Sequence, residues 1–181
     1  MFHKAMRWAA LPAVMIAVSA QAAGDTSYVN DNWGYAVTLP GEVRLIQNTP
    51  PAPNHGFGVR VAKRAYLWVD GSSSDGENLA ETVKESTGFL LRDEDCVVLE
   101  RAADSLGGKP AQRLVLRCPA DKPRTGTELR RTVIALAAPP GHGAAAYSVN
   151  VTYPEDGGAE ARRALALFDD AQRGFRFLGK R

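Results

Sequence analysis

The side chains that could carry chemistry are few and widely separated. Past residue 22 the chain has two histidines, His55 and His142, each in a proline- and glycine-rich stretch. Nucleophilic hydrolysis needs a nucleophile, a base to take its proton and a group that orients the base. Ser72, Ser73 or Ser74 could be the nucleophile and either histidine the base, but no Gly-x-Ser-x-Gly sets a serine on an exposed turn. Zinc chemistry lacks its spacing, since the chain has neither a His-x-x-x-His pair nor a Cys/His ligand set. From Asp70 to Glu81, oxygen-bearing residues alternate in the manner of a calcium loop, with an acid twelfth. Asp75 holds the sixth position, where that loop needs glycine. A turn capping a following helix explains the same residues. Asp93-Glu94-Asp95 and Asp169-Asp170 read as solvated faces rather than acid–base pairs. Phosphate-loop and dinucleotide fingerprints are absent from the sequence. The expectation is a chain with no catalytic set, no cofactor and no metal.

What these residues leave is a surface for binding. Trp33 lies in an early turn, and Trp68 stands two residues before Asp70 at the end of an apolar run, with Tyr66 and His55 close in sequence. Aromatic side chains are enriched in protein contact patches. Trp33, Trp68, Tyr66, His55 and Asp70 are therefore the candidate binding surface; the alternative is that they are ordinary core and lid residues.

Two cysteines remain to be placed. Cys96 to Glu100 is strand-like, and so is Gln112 to Cys118, where Gln112, Leu114, Leu116 and Cys118 share one face. Leu106-Gly107-Gly108-Lys109 between them is a turn signal. A turn centred on Gly107 puts Cys96 opposite Cys118, Val98 opposite Leu116 and Leu99 opposite Val115. Opposed residues bring their Cβ atoms within about 4.5–5.5 Å, so a disulfide across that rung is expected. The long spacing argues against redox chemistry.

A disulfide suits an exported chain, and the first residues agree. His3, Lys4 and Arg7 give a positive start, and Trp8 to Ala20 is apolar except at Pro12 and Ser19. Ala20-Gln21-Ala22 offers the small-x-small pattern of a cleavable signal. A spanning anchor would need about 20 apolar residues, so no stable membrane anchor is expected. Removing residues 1–22 takes away all three methionines and brings lysine plus arginine to 20, equal to the 20 acids. A neutral mature chain offers no electrostatic case for nucleic acid or an anionic membrane surface.

These residues must be positioned by elements that the pattern also indicates. Tyr28-Val29-Asn30 and Tyr35 to Leu39 flank a turn and form a first hairpin. Phe57, Val59 and Val61 alternate as a strand, and Ala65 to Val69 is another that stops at Asp70-Gly71. A helix follows with Leu79, Thr82, Val83 and Ser86 inward and Gly88 as its stop. Thr127 to Ala137 is a strand. Tyr147, Val149, Val151 and Tyr153 alternate with Ser148, Asn150 and Thr152, the pattern of a sheet with one wet face. A second helix spans about Ala159 to Arg173, with Ala161, Ala164, Leu165, Phe168 and Ala171 buried. Gly174 ends it, and Phe175 and Phe177 turn back to the core.

Four phrases in this order stand out: Gly34-Tyr35-Ala36-Val37-Thr38-Leu39-Pro40, Gly107-Gly108-Lys109-Pro110-Ala111, Ala146-Tyr147-Ser148-Val149-Asn150-Val151, and Leu167-Phe168 through Phe175-Arg176. Together they resemble the PsbP-like superfamily of α+β domains over most of the mature chain. Glu42-Val43-Arg44 stands where that family carries a tryptophan after the proline. The resemblance implies an antiparallel sheet between helices and a mainly non-catalytic binding or assembly role; it carries over no active site.

The expected fold is α+β: an antiparallel β-sheet of about six strands flanked by two amphipathic helices, with one disulfide, as a single domain over 24–181 after a signal at 1–22. The expected function is an exported, periplasmic or secreted, non-catalytic domain that binds a protein or ligand, with a protein partner in the cell envelope. One alternative is a periplasmic inhibitor or immunity protein against a secreted enzyme or toxin. The other is a cell-envelope hydrolase using the loops around His55, Ser72 to Ser74 and His142.

Overall fold

In chain order the strands and helices are β1 (Thr26–Asn30), β2 (Tyr35–Leu39), β3 (Ile46–Gln47), β4 (Gly56–Ala62), β5 (Ala65–Ser73), α1 (Leu79–Arg92), β6 (Val97–Leu106), β7 (Lys109–Pro119), β8 (Thr127–Ala137), β9 (Ala145–Pro154), α2 (Ala159–Gly174) and β10 (Phe175–Phe177). The computed structural model describes residues 24–47, 55–119 and 127–179. The signal expected at 1–22 lies outside them, as does most of the proline-rich stretch that starts at Thr49.

The fold is α+β. β3-β4-β5-β9-β8-β7-β6 form one sheet whose pairs are all antiparallel. Six of its strands are long, and the two-residue β3 adds an edge. Strands β6 to β9 run as a meander, and β9 then inserts beside β5. The first hairpin stands apart from this sheet. β1, β2 and the returning β10 make a small sheet of three strands, with Phe175 opposite Val37 and Phe177 opposite Tyr35.

Alternation along the strands decides which face is dry. Leu67 and Val69 of β5, Val133 and Ala135 of β8, and Tyr147, Val149 and Val151 of β9 are fully buried in one core with α2 and the small sheet. α2 contributes Ala161, Ala164, Phe168 and Ala171. Three of these are alanines, so the helix axis can approach the sheet closely. Gly174 is where the chain leaves α2 for β10. A Cβ there would stand 1.9 Å from the Thr38 carbonyl oxygen, so only glycine permits this turn against β2.

α1 lies on β7 and β8, so the two helices pack against different cores. Val83 packs with Cys96, Leu114, Leu116, Cys118 and Ile134 in a second cluster. Asn78 caps the helix, accepting the Glu81 N–H at 3.1 Å, while the Glu81 carboxylate accepts the Glu77 N–H at 2.9 Å. Three features differ from the sequence pattern. Gly88 does not stop the helix: it is buried inside it, and α1 runs on to Arg92. Ser86, expected inward, is exposed. β5 likewise does not stop at Asp70-Gly71, because β9 pairs with it as far as Ser73. Gly71 is an in-strand glycine crossed by a side chain: its Cβ would meet Trp33 at 3.1 Å.

The cysteine hairpin closes as expected, by a different route. Gly107 and Gly108 both have positive φ, +56° and +76°, which a two-residue hairpin turn requires. Leu106 therefore pairs with Lys109, half a residue from a turn centred on Gly107. A bulge at Leu99 takes up the difference. Val98 faces Leu116 as expected, but Glu100 rather than Leu99 faces Val115. Beyond the bulge Cys96 reaches Cys118, and the two form a disulfide with their Cα atoms 4.2 Å apart. Closing a loop of this length is worth about 3 kcal/mol in the chain-entropy treatment.

Candidate binding cleft

The second face of the main sheet is only half covered. α1 sits on β7 and β8, and the surface over β5 and β9 stays open beside it. Pairing aligns the side chains of this face into rungs. Gly56, Asp70, Ser148 and Ile134 share one, Gly58, Trp68, Asn150 and Thr132 the next, and Arg60, Tyr66, Thr152 and Arg130 the third. Asp70, Ser148 and Ile134 of the first rung, Trp68, Asn150 and Thr132 of the second, and Thr87, Leu90 and the rim residue Phe89 of α1 line a cavity of about 240 Å³. A second cavity of about 310 Å³ adjoins it at Arg130, lined also by Arg60, Lys63, Arg64, Tyr66 and Glu128.

A chain of hydrogen bonds runs across the floor and ends on a carboxylate. Thr132 Oγ1 donates to Asn150 Oδ1 at 2.6 Å, Asn150 Nδ2 to Ser148 Oγ at 2.6 Å, and Ser148 Oγ to Asp70 Oδ1 at 2.5 Å. Asn150 also reaches Asp70 Oδ1 at 3.4 Å. Each donor is held by the next, so the network fixes Asp70 at the head of the cleft. Burial pushes the Asp70 carboxyl above its ordinary value, while the Ser148 hydrogen bond and the charge of His55 pull it back down.

Aromatic rings form the middle. Tyr66 and Trp68 lie with ring centroids 6.1 Å apart and planes tilted by 32°. Tyr66 crosses Gly58 of β4, where a Cβ would stand 1.8 Å from the phenol oxygen. Glycine at 58 thus makes the space that the ring occupies. At the far end Arg130 pairs with Glu94 at 2.8 Å from the α1–β6 connection. Its Nε is buried and has no partner among the described residues.

The candidate surface read from sequence divides in two. Tyr66, Trp68 and Asp70 share the cleft face of β5, whereas Trp33 and His55 lie against each other, centroids 4.9 Å apart and planes tilted by 38°, outside the cleft lining. His55 Nδ1 donates to the Gly71 carbonyl at 2.8 Å, and the Trp33 carbonyl accepts the Tyr147 hydroxyl at 2.8 Å. Both histidines are half-buried rather than exposed, and both converge on the first turn. A Cβ on Gly34 would stand 2.7 Å from the His142 ring. Of the candidate serines, Ser74 takes another partner. Ser74 Oγ donates to Glu85 at 2.7 Å, and no serine hydroxyl meets a histidine among the described residues. The oxygens that alternate from Asp70 to Glu81 also diverge: Asp70 is tied to Ser148, while Glu81 caps α1. Among the described residues no three His, Cys, Asp or Glu side chains are grouped to hold a metal. Thr132, Ser148, Asn150 and Arg130 are the cleft residues that sequence reading did not single out. The alternation of β9 marked Ser148 and Asn150 as one face, but nothing local said that Asp70 would lie across from them.

No family model matches the sequence, and no curated protein matches it. Solved structures do match. The cyanobacterial PsbP (CyanoP) of Synechocystis aligns with a TM-score of 0.58 and 13% identity, covering 93% of this chain and 98% of its own. The chain has the PsbP-like fold. Two other structures share the PsbP-like arrangement. LpqN, involved in cell envelope biogenesis of Mycobacterium tuberculosis, aligns with a TM-score of 0.58 and 14% identity over 86% of this chain and 91% of LpqN. The Saccharomyces cerevisiae Ran-binding protein Mog1p aligns with 0.54 and 10%, over 87% and 97%. At these identities the likeness concerns the PsbP-like fold alone.

Proposed function

We propose that this chain is an exported, non-catalytic binding domain, periplasmic or secreted, and that it takes its partner in the cleft between α1 and the β5–β9 surface. The observation that carries the reading is the half-covered sheet face. A folded sheet that has a helix available leaves Tyr66 and Trp68 only part-covered, with an organised polar network beside them. Concave surfaces with a few convergent polar groups and aromatic rings are what binding sites are made of. Its PsbP-like neighbours include a Ran-binding protein. Export is supported by the disulfide, by the leader-like first residues and by the involvement of LpqN in cell envelope biogenesis. No helix among the described residues is long and apolar enough to cross a membrane.

A protein partner in the cell envelope is the finer form of this reading, and an inhibitor or immunity role is one case of it. The hydrolase alternative is the less favoured reading: Ser74 is engaged by Glu85, and both histidines face the first turn. The test is site-specific crosslinking in the host. A photoreactive amino acid at Trp68 is compared with the same group at Ala166, which is exposed on α2. A stoichiometric adduct from position 68 and none from 166 is expected. Equal adducts from both, or turnover of an envelope substrate by the purified chain without a partner, would overturn the reading.

A further inference from the structure

The cleft has a polarity along its length, and this narrows what can lie in it. Its first rung presents the Asp70 carboxyl with Ser148, and its third presents Arg60 and Arg130 with Tyr66 between them. At the third rung Arg60, Lys63, Arg64 and Arg130 outnumber the single carboxylate of Glu128 in the lining. Arg64 is engaged by Asp156 at 2.8 Å and Glu160 at 3.7 Å, and Arg130 by Glu94, which leaves the surplus of positive charge on Arg60 and Lys63; Arg130 Nε is also without a partner among the described residues. Between the two ends lie Trp68 and Tyr66, whose rings offer apolar contact without charge.

The spacing of the ends is that of an extended chain. Asp70 and Tyr66 are four residues apart on one strand, which is roughly 13 Å at the rise of a β-strand. In an extended peptide, side chains i, i+2 and i+4 point to one side and cover the same length. Building on the cleft as the binding site, we propose that it receives an extended segment of a partner protein. That segment carries a basic residue over Asp70, a small or apolar residue over Trp68, and an acidic residue four positions from the basic one, over Arg130 and Arg60. Charge complementarity selects both the composition and the direction of the segment, because reversing it sets like charges against each other at both ends. The exposed Phe89 at the rim of α1 flanks the segment on one side.

The test uses fluorescence anisotropy with the whole mature chain and labelled, end-capped heptapeptides. One carries lysine and glutamate four positions apart with valine and threonine between, the second has the two charges exchanged, and the third has glutamine in both places. At low salt the first is expected to bind at least tenfold more tightly than the third. The D70N and R130Q variants are each expected to remove most of that advantage, and doubling the salt to reduce it. An advantage that survives both variants overturns the charge assignment, and so does equal binding of all three peptides. W68A separates this from the reading of the site. If W68A abolishes binding while D70N and R130Q leave it unchanged, the cleft stands and its polarity does not. If peptide binds and W68A leaves binding unchanged, the cleft itself is the wrong site. If none of the peptides binds, the segment proposal falls and crosslinking from position 68 decides the cleft.

Discussion

On one face of the main sheet, Leu67, Val69, Tyr147, Val149 and Val151 are sealed beneath α2 and the small sheet. On the other, Tyr66, Trp68, Ser148 and Asn150, which alternate with them on the same two strands, remain half-buried beside α1. Apolar burial on the first face supplies the stability. The β5–β9 part of the second face, beside the apolar cluster under α1, is relieved of that task and can hold polar groups whose burial costs the fold. The same register that seals the core therefore builds the cleft.

If this division is right, the largest effect belongs to the sealed face. Phe168→Ala empties a fully buried site beneath α2 and is expected to cost about 3–5 kcal/mol in urea unfolding. A cost near zero would mean that α2 is not what holds the sheet. Next comes the staple on the α1 side. Replacing Cys96 and Cys118 together by serine is expected to lower stability by about 3 kcal/mol, with the midpoint of thermal unfolding falling accordingly. Because Val83 packs on the disulfide, hydrogen exchange in α1 should rise more than in α2.

Smaller effects belong to the open face. Trp68→Ala is expected to cost about 1 kcal/mol, well below Phe168→Ala, while removing partner adducts and peptide binding. A cost as large as that of Phe168→Ala would make Trp68 a core residue and weaken the contrast. Asp70 sharpens it further through pH. Its carboxyl is raised in the folded state, so the fold holds that proton more tightly than the unfolded chain does. Its contribution is fully present below the ordinary value of 3.8 and is lost as pH rises through the raised folded value. Asp70→Asn is expected to equal or exceed the wild type in stability at neutral pH and to fall behind it toward pH 3.8 and below. Urea unfolding across that range checks the sign; an opposite slope would mean that the Ser148 and Asn150 bonds outweigh the burial.

Much of this architecture was readable in advance, because strands and helices are written in short-range periods. The alternation of Tyr147 to Tyr153 is complete within seven residues, and the stripe from Ala161 to Ala171 repeats at helical spacing. The cysteine pairing was also legible, although its register was not. The turn took two residues rather than one, and the bulge at Leu99 restored the alignment. A bulge depends on both strands and on the core beneath them, so neither strand's sequence announces it. Gly71 and Gly88 misled for a related reason. Each looked like a stop and is instead a position crowded by or buried against its surroundings.

Of the candidate surface, Tyr66, Trp68 and Asp70 share one face because they stand at alternate positions on one strand. Trp33 and His55, grouped with them by nearness in sequence, pack beside Gly71 and do not line the cleft. Residue types and local spacing were enough to establish the α+β class, the disulfide and the lack of a recognisable catalytic motif, since each depends on neighbours within a few residues or on simple presence. The cleft needed β9 to insert between β5 and β8. That pairing joins Asp70 to Ser148 across 78 positions and sets Trp68 beside Asn150. Contacts over such distances follow from how every strand packs at once, and no stretch of sequence contains them.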